Sequence, residues 1–521
     1  MVVLLSISVI SAANTDLNNS TQKSNKNNEL LGESDTGSLS DLHHNISSAG
    51  STLNLTKNYV YNSTTDSSIA AGGIRLSAPI SIDGNGHKID AGNVKRIFEI
   101  YSSNILLKNI VFCNAHHSSN GGAVYVTNDL SNITFENCTF ENNYATSRGA
   151  AIYTQSQVKI DFCYFINNEV ASYGGAVFFY GPNSLVNNSI FYKNTADYGG
   201  AVYLYSQNIT LYNSTFVLNY GKTWGGCIND GADVHSYNII KCNFYNNTSY
   251  NGGSAFNSNG GSSTSDYSCI IDQCTFKYNH LTRTSLTGDT GGVIRFVGSG
   301  GLINNSNFED NYNSLNGGAV IFALSHSNNA ILNSNFTHNW ALRGGAVYVT
   351  SSNSKIDNCR FVDNYVTGSN HGGAVYWTGA NGIITNSSFI NNTAAYGALY
   401  ISVASTTVTN CIFLGNKGNT YGGALSVAAA AKIYDSYFQY NQAPGGSVLY
   451  STASGAVLSD CVILDNIATG SYKYIIYSTT ANVDVNNNWW GTTLNDKSTK
   501  PVNVYRANLD NWYFLNIEGN P

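Results

Sequence analysis

Apolar positions in this chain come in short alternating runs, and the runs repeat. In residues 121–143 a Gly-Gly-Ala-Val-Tyr-Val segment gives way to Ile133-Thr134-Phe135, then to Cys138-Thr139-Phe140, and ends on Asn143. Strict Phe-x-x-Asn starts at Phe140 and returns through Phe165, Phe191 and Phe216 as far as Phe438, at intervals of 24 to 32 residues. Periods of that length mark solenoids and arrays. The Gly-Gly-Ala signature alternates with it from Gly121 to Gly445. A helical repeat would place apolar residues at 3.6 spacing among good helix formers. Here the units are rich in Asn, Gly, Ser, Thr, Tyr and Val, which are strand and turn residues. One unit therefore predicts about three short strands plus turns, one circuit of a parallel β-helix. Stacked circuits lie roughly 4.8 Å apart, so equivalent side chains form columns along the axis.

The columns follow from the repeat register. Two places before each Phe stands only Cys or Ser (Cys138, Cys163, Ser189, Ser214 and onward to Cys461), which predicts a small inward site on the face of the Phe. The aliphatic after Gly-Gly-Ala, from Val124 and Ile152 to Leu425 and Val448, predicts a second core column. The residue after it is Tyr125, Tyr153, Phe178, Tyr203, Phe256, Tyr348, Tyr376 and Tyr400. Alternation puts that row on the outer face, where stacked rings either stabilise the ladder or offer a binding surface for a glycan or protein.

Composition adjusts this picture at the margins. Charged residues make up only 11% of the 521, Pro numbers 5, and the net charge is −6. Such a chain has no basic field for nucleic acid. Residues 2–10 are apolar and are followed by Ser11-Ala12-Ala13, the pattern of a secretory signal segment without its positive start. Residues 14–50 read as a disordered polar tether and 51–485 as the β-helix, with Pro79–Ile89 as the first coil. Insertions are expected near 257–268, 280–290 and 366–371. Residues 486–521, with Trp489-Trp490 and Trp512-Tyr513-Phe514, read as an aromatic cap over the last strand edge. No other stretch approaches the roughly 20 apolar residues of a membrane span.

Gly-Gly-Ala-aliphatic alternating with Phe-x-x-Asn resembles the repeat of the polymorphic outer-membrane proteins. Together with Asp83-Gly84-Asn85-Gly86-His87-Lys88-Ile89-Asp90 and Asn487-Asn488-Trp489-Trp490-Gly491, it is most similar to the adhesin-like surface proteins of methanogenic archaea. That resemblance implies a right-handed parallel β-helix displayed at a cell surface; the repeats predict an all-β solenoid of about 14–16 coils. Residues 1–521 are expected to hold neither the autotransporter barrel nor the carboxy-terminal anchor that such proteins carry.

Ten cysteines in an exported chain would ordinarily suggest disulfides. Seven occupy the column that Ser shares, so they are expected as free buried thiols. Their spacing gives no structural zinc site. The enzymatic alternative, a polysaccharide lyase or glycosidase, needs clustered carboxylates. The best candidates are Asp435 and Asp460, in equivalent positions of consecutive coils and expected roughly 5 Å apart. A solvated pair or a weak calcium site is the plainer reading, and no cofactor is expected. His43-His44 and His116-His117 are expected to face solvent, and His87 to be structural. Sequons at Asn45, Asn54, Asn62, Asn132, Asn208, Asn247, Asn304, Asn335 and Asn391 suit glycosylation of an exported protein. The expectation is therefore a secreted or cell-surface, non-enzymatic, monomeric solenoid. Its partners would be glycans or surface proteins, met along Tyr125, Tyr153, Tyr203, Tyr348, Tyr376 and Tyr400. A purely structural surface-layer component is a third reading.

Overall fold

The structure is a computed structural model and describes residues 36–231, 236–259, 268–284, 291–314, 316–322, 327–471, 473–480, 483–491 and 503–513. The signal-like segment, most of the tether, and the insertions at 260–267 and 285–290 lie outside the described residues. One circuit shows the architecture. Val124–Val126 lies on a first face (the signature face), Ile133–Glu136 on a second and Thr139–Glu141 on a third (the phenylalanine face); Tyr144–Ala145 forms a short corner strip leading back to the first. Every strand pairs in parallel with its equivalent in the next circuit, as Phe140 does with Phe112 on one side and Phe165 on the other. The result is a right-handed β-solenoid of about 16 turns, two of whose sheets run through 18 strands. At roughly 4.8 Å per strand the rod is about 80 Å long.

Corners are made by single residues in the left-handed region. In this circuit they are Asn132 (φ 55°), Asn137 (49°), Asn142 (54°) and Gly149 (58°). Asn tolerates that region better than other residues with a side chain, which explains why the chain is so rich in it. Glycine at the fourth corner is required more strictly. A Cβ on Gly344 would sit 2.2 Å from the Val347 carbonyl oxygen, at φ 58°.

Inside, the predicted columns are present. The Phe rings from Phe112 to Phe438 stack with centroids 4.6 to 5.0 Å apart. All ten cysteines are free and buried. The Cys/Ser column also carries hydrogen bonds. The Ser189 and Ser214 hydroxyls each accept the N–H of the residue above, from Cys163 and Ser189 at 3.1 Å, and each donates to a carbonyl two residues back. A group that is small, a donor and an acceptor is what that site needs, and Cys meets it weakly. The Asn of Phe-x-x-Asn forms a second polar column at zero exposure. Asn279 Oδ1 accepts from the Asn247 N–H and Nδ2, while its own Nδ2 donates to the Phe244 carbonyl and to Asn311 Oδ1. Every lone pair and proton of that amide is used, as burial demands.

Four expectations need correction. Residues 38–48 of the predicted tether fold: Leu39–Ser48 is a helix with a Ser38/Asp41 capping box. It buries Leu39 and Leu42, and buried Asp66 accepts the Leu39 and Ser40 N–H groups at its start. The first coil is not Pro79–Ile89, because Thr52–Asn54 already pairs with Ser81–Asp83. The aromatic tail is not only a cap: Trp512–Tyr513 pairs with Asn488–Trp489 and extends the phenylalanine face. Both ends thus add strands whose sequences lack the repeat signature. Finally, His116 and His117 form a strand of the corner strip and are half-buried instead of solvent-facing. His116 stacks on Tyr144, and His117 Nδ1 is held by the Ser119 N–H and Arg96.

Candidate binding face

The outward row of the signature face stacks as expected. Tyr125, Tyr153, Phe178 and Tyr203 have centroids 5.2, 5.5 and 5.1 Å apart, and Tyr348, Tyr376 and Tyr400 are 5.0 and 4.9 Å apart. The row lies outside the tube, but it is not an open platform. Tyr153 is 2% exposed, Phe178 1%, Tyr203 8% and Tyr348 7%; Tyr125, Tyr376 and Tyr400 are half-buried. The cover comes from the residue just before the signature glycine, which forms its own column at the corner. Tyr173 lies edge-on to Tyr203 at 5.0 Å, and the Arg148 guanidinium sits over Phe178. Face-to-face stacking also hides the ring faces, so what reaches solvent is a line of ring edges and phenol groups. Phe256 belongs to another column: it pairs with Ile228 and Ile294 and is fully buried. The residue facing out there is Asn257. Val448 is likewise displaced by one, since Leu449 pairs with Leu425 and Tyr450 faces outward.

Toward the carboxy terminus the row opens into a larger cluster. Ser426 interrupts the column between Tyr400 and Tyr450, and corner tyrosines pack over the gap. Tyr421 stacks on Tyr450 at 4.6 Å and on Tyr477 at 5.3 Å. Tyr396 meets both Tyr421 and Tyr450. Tyr477 continues to Tyr474 and Tyr505. All seven rings from Tyr396 to Tyr505 are half-buried. Burial, with help from the neighbouring phenols, pushes the Tyr450 hydroxyl above its ordinary pKa, and Tyr400 behaves alike. These groups remain neutral donors and acceptors at physiological pH. At the amino-terminal border stand Arg343, whose guanidinium lies over Tyr376, and His371, 4.6 Å from Tyr396 and 4.4 Å from Tyr400. Burial first, and the Arg343 charge second, lower the His371 pKa.

Sequence patterning missed Tyr396, Tyr421, Tyr450, Tyr477 and Arg343. A usable signal was present: an aromatic immediately precedes the signature glycine at Tyr173, Tyr198, Trp224, Tyr396 and Tyr421. Tyr180 and Tyr205, exposed and stacked 5.0 Å apart, also escaped it.

The acidic candidates sit elsewhere. Asp435 and Asp460 are in register, since Tyr434 pairs with Ser459. Both are exposed corner residues in the left-handed region, φ 49° and 56°, a place filled by Asn137, Asn213 and Asn358 in other circuits. Conformation therefore accounts for their identity. Asp460 accepts from its neighbour Ser459 and from Tyr513. Among the described residues no three His, Cys, Asp or Glu side chains converge as a metal site would require. Among the sequons, Asn247 is buried in the inner amide column, while Asn132 and Asn208 are exposed corner residues. Sequon density has a structural origin: a corner Asn, then an inward residue, then an outward Thr, as in Asn132-Ile133-Thr134, spells the motif.

No described helix is long and apolar enough to cross a membrane. No curated protein and no solved structure matches the chain. The family model for the right-handed β-helix region matches residues 73–238, which hold about seven circuits, beginning after the one that contains Thr52–Asn54. With the stacked columns described above, that match supports a β-helix repeat architecture for the chain.

Proposed function

We propose that the chain is a non-catalytic binding rod of the cell surface or its surroundings, similar in role to the adhesin-like proteins its repeats resemble. Its contact face would be the tyrosine cluster from His371 to Tyr505. One observation carries this reading: a continuous patch of half-exposed phenols on a backbone too regular to rearrange. Tyrosine supplies large amphipathic contact area at low entropy cost, and neutral phenols suit the hydroxyl-rich surface of a glycan. The rival reading, a polysaccharide-cleaving enzyme, rests on the in-register pair Asp435 and Asp460.

A glycan-array screen tests the proposal. The full chain should retain a defined set of glycans, and Tyr421→Ala combined with Tyr450→Ala should lose them while Asp435→Asn with Asp460→Asn keeps them. Release of reducing ends or unsaturated sugars from pectin or alginate, abolished by the two Asn substitutions, would replace this reading with the enzymatic one.

A further inference from the structure

We propose that Arg343 is an anion-recognition point at the head of the tyrosine cluster, and that the ligand is an acidic polysaccharide carrying carboxylate or sulfate groups. This rests on the glycan-binding reading above and names the class of glycan. Arg343 makes no ion pair and no side-chain hydrogen bond among the described residues, and its Nε is buried without a partner. The circuits that follow it cannot supply a partner either. No Asp or Glu occurs anywhere between Asp363 and Asp435, the stretch that builds the next circuits of this face.

The adjacent rungs of the corner column frame the gap; what sets it apart from the equivalent Asn120–Arg148 pair is its place at the head of the tyrosine cluster. On one side is Asn316, paired to Arg343 through the backbone, with a buried side-chain oxygen that also has no partner. On the other is His371, held neutral by burial and by Arg343 itself. Tyr376 and Tyr400 complete the wall. A guanidinium partly removed from water and lacking a counter-charge binds an oxyanion through two parallel N–H bonds more tightly than a solvated one does. An acidic sugar brings an anionic oxygen beside hydroxyl groups, so it answers both Arg343 and the phenols of Tyr376 and Tyr400. A neutral sugar answers only the phenols.

The test is affinity of the full chain, by calorimetry at low and moderate salt, for an oligogalacturonate, a sulfated galactan and a neutral dextran. Tight binding of one or both acidic polymers is expected, with the two arms telling carboxylate from sulfate recognition. Arg343→Gln should weaken it at least tenfold and flatten its salt dependence, and Arg343→Lys should recover only part because the planar fork is lost. Lys355→Gln removes an equal charge from the second face, where Lys355 pairs with Asp357, and should change affinity less than twofold. Unchanged thermal midpoints in the Arg343 variants keep the comparison free of folding effects. Undiminished acidic binding in Arg343→Gln, or an equal loss in Lys355→Gln, overturns the inference. Binding of dextran alone would refute the inference and leave the proposed function standing, whereas failure of all glycans, here and on the array, would remove both.

Discussion

Replacing Asn279 by Ala removes one side chain from the inner amide column and strikes four hydrogen bonds at once. The Asn247 N–H, 3.0 Å from Asn279 Oδ1, is left with no acceptor in a site of zero exposure. Asn247 Nδ2, the Phe244 carbonyl and Asn311 Oδ1 each lose one partner. A stranded buried N–H costs about 1–3 kcal/mol and each further bond about 1 kcal/mol. The expected loss is therefore about 4–6 kcal/mol, and its lower end is already close to a thousandfold in a local opening constant. A solenoid is coupled mainly through neighbouring circuits, so the damage should be read locally. Hydrogen exchange followed by mass spectrometry should show residues 243–249 and 275–281 losing about three orders of magnitude of protection, with circuits near Phe413 unchanged. Asn358 provides the contrast: it is a corner residue whose amide makes one exposed bond to Asn333. Asn358→Gly should be nearly neutral, because glycine accepts the left-handed backbone (φ 52°). If Asn279→Ala costs under about 1 kcal/mol, or no more than Asn358→Gly, the amide column does not hold the circuits together.

Other expectations follow from the same geometry. Gly344→Ala should destabilise by more than about 2 kcal/mol, from left-handed strain plus the contact with the Val347 oxygen. Gly345→Ala should also destabilise, since a Cβ there would sit 2.2 Å from the Gly373 carbonyl oxygen, but by less, because no left-handed strain adds to it and Ala150 occupies that place in another circuit; a loss larger than that of Gly344→Ala in urea denaturation would contradict this. Burial pushes the Cys359, Cys411 and Cys461 thiols up to about 12. A thiol reagent at pH 8 should therefore find none of them in the native chain and all ten cysteines after unfolding without reductant. Fewer than ten would reveal a disulfide. Burial, with Arg96 and His116 beside it, lowers His117 to about 4, while the unfolded ring titrates near 6.5. Between those values the unfolded chain takes up the proton and the folded chain does not, so stability should fall as pH drops from about 6.5 to 4. His117→Gln should remove part of that fall in denaturation curves taken across the window.

Much of this molecule is local, and a local code is legible in sequence. The Phe, Cys/Ser and aliphatic columns follow from strand alternation and a repeat length that returns each residue to the same angular position. Once circuits stack, Phe140, Phe165 and Phe191 must line up, and buried thiols follow because Ser shares their site. Asn143 and its equivalents were visible as a pattern, but their hydrogen bonds belong to three circuits at once, so no single repeat displays them. The ends escaped for a related reason. Thr52–Asn54 and Trp512–Tyr513 become strands only because a completed circuit offers them an edge, and the Leu39–Ser48 helix is fixed by Asp66 as well as by its own capping box. The binding face depended most on tertiary structure. Alternation could say that Tyr153 and Tyr203 leave the core, but not that Tyr173 and Arg148 fold across them from the corner. It could not show Tyr421 covering Ser426, or Arg343 left beside a carboxylate-free run of chain, since those facts join residues a full circuit or more apart.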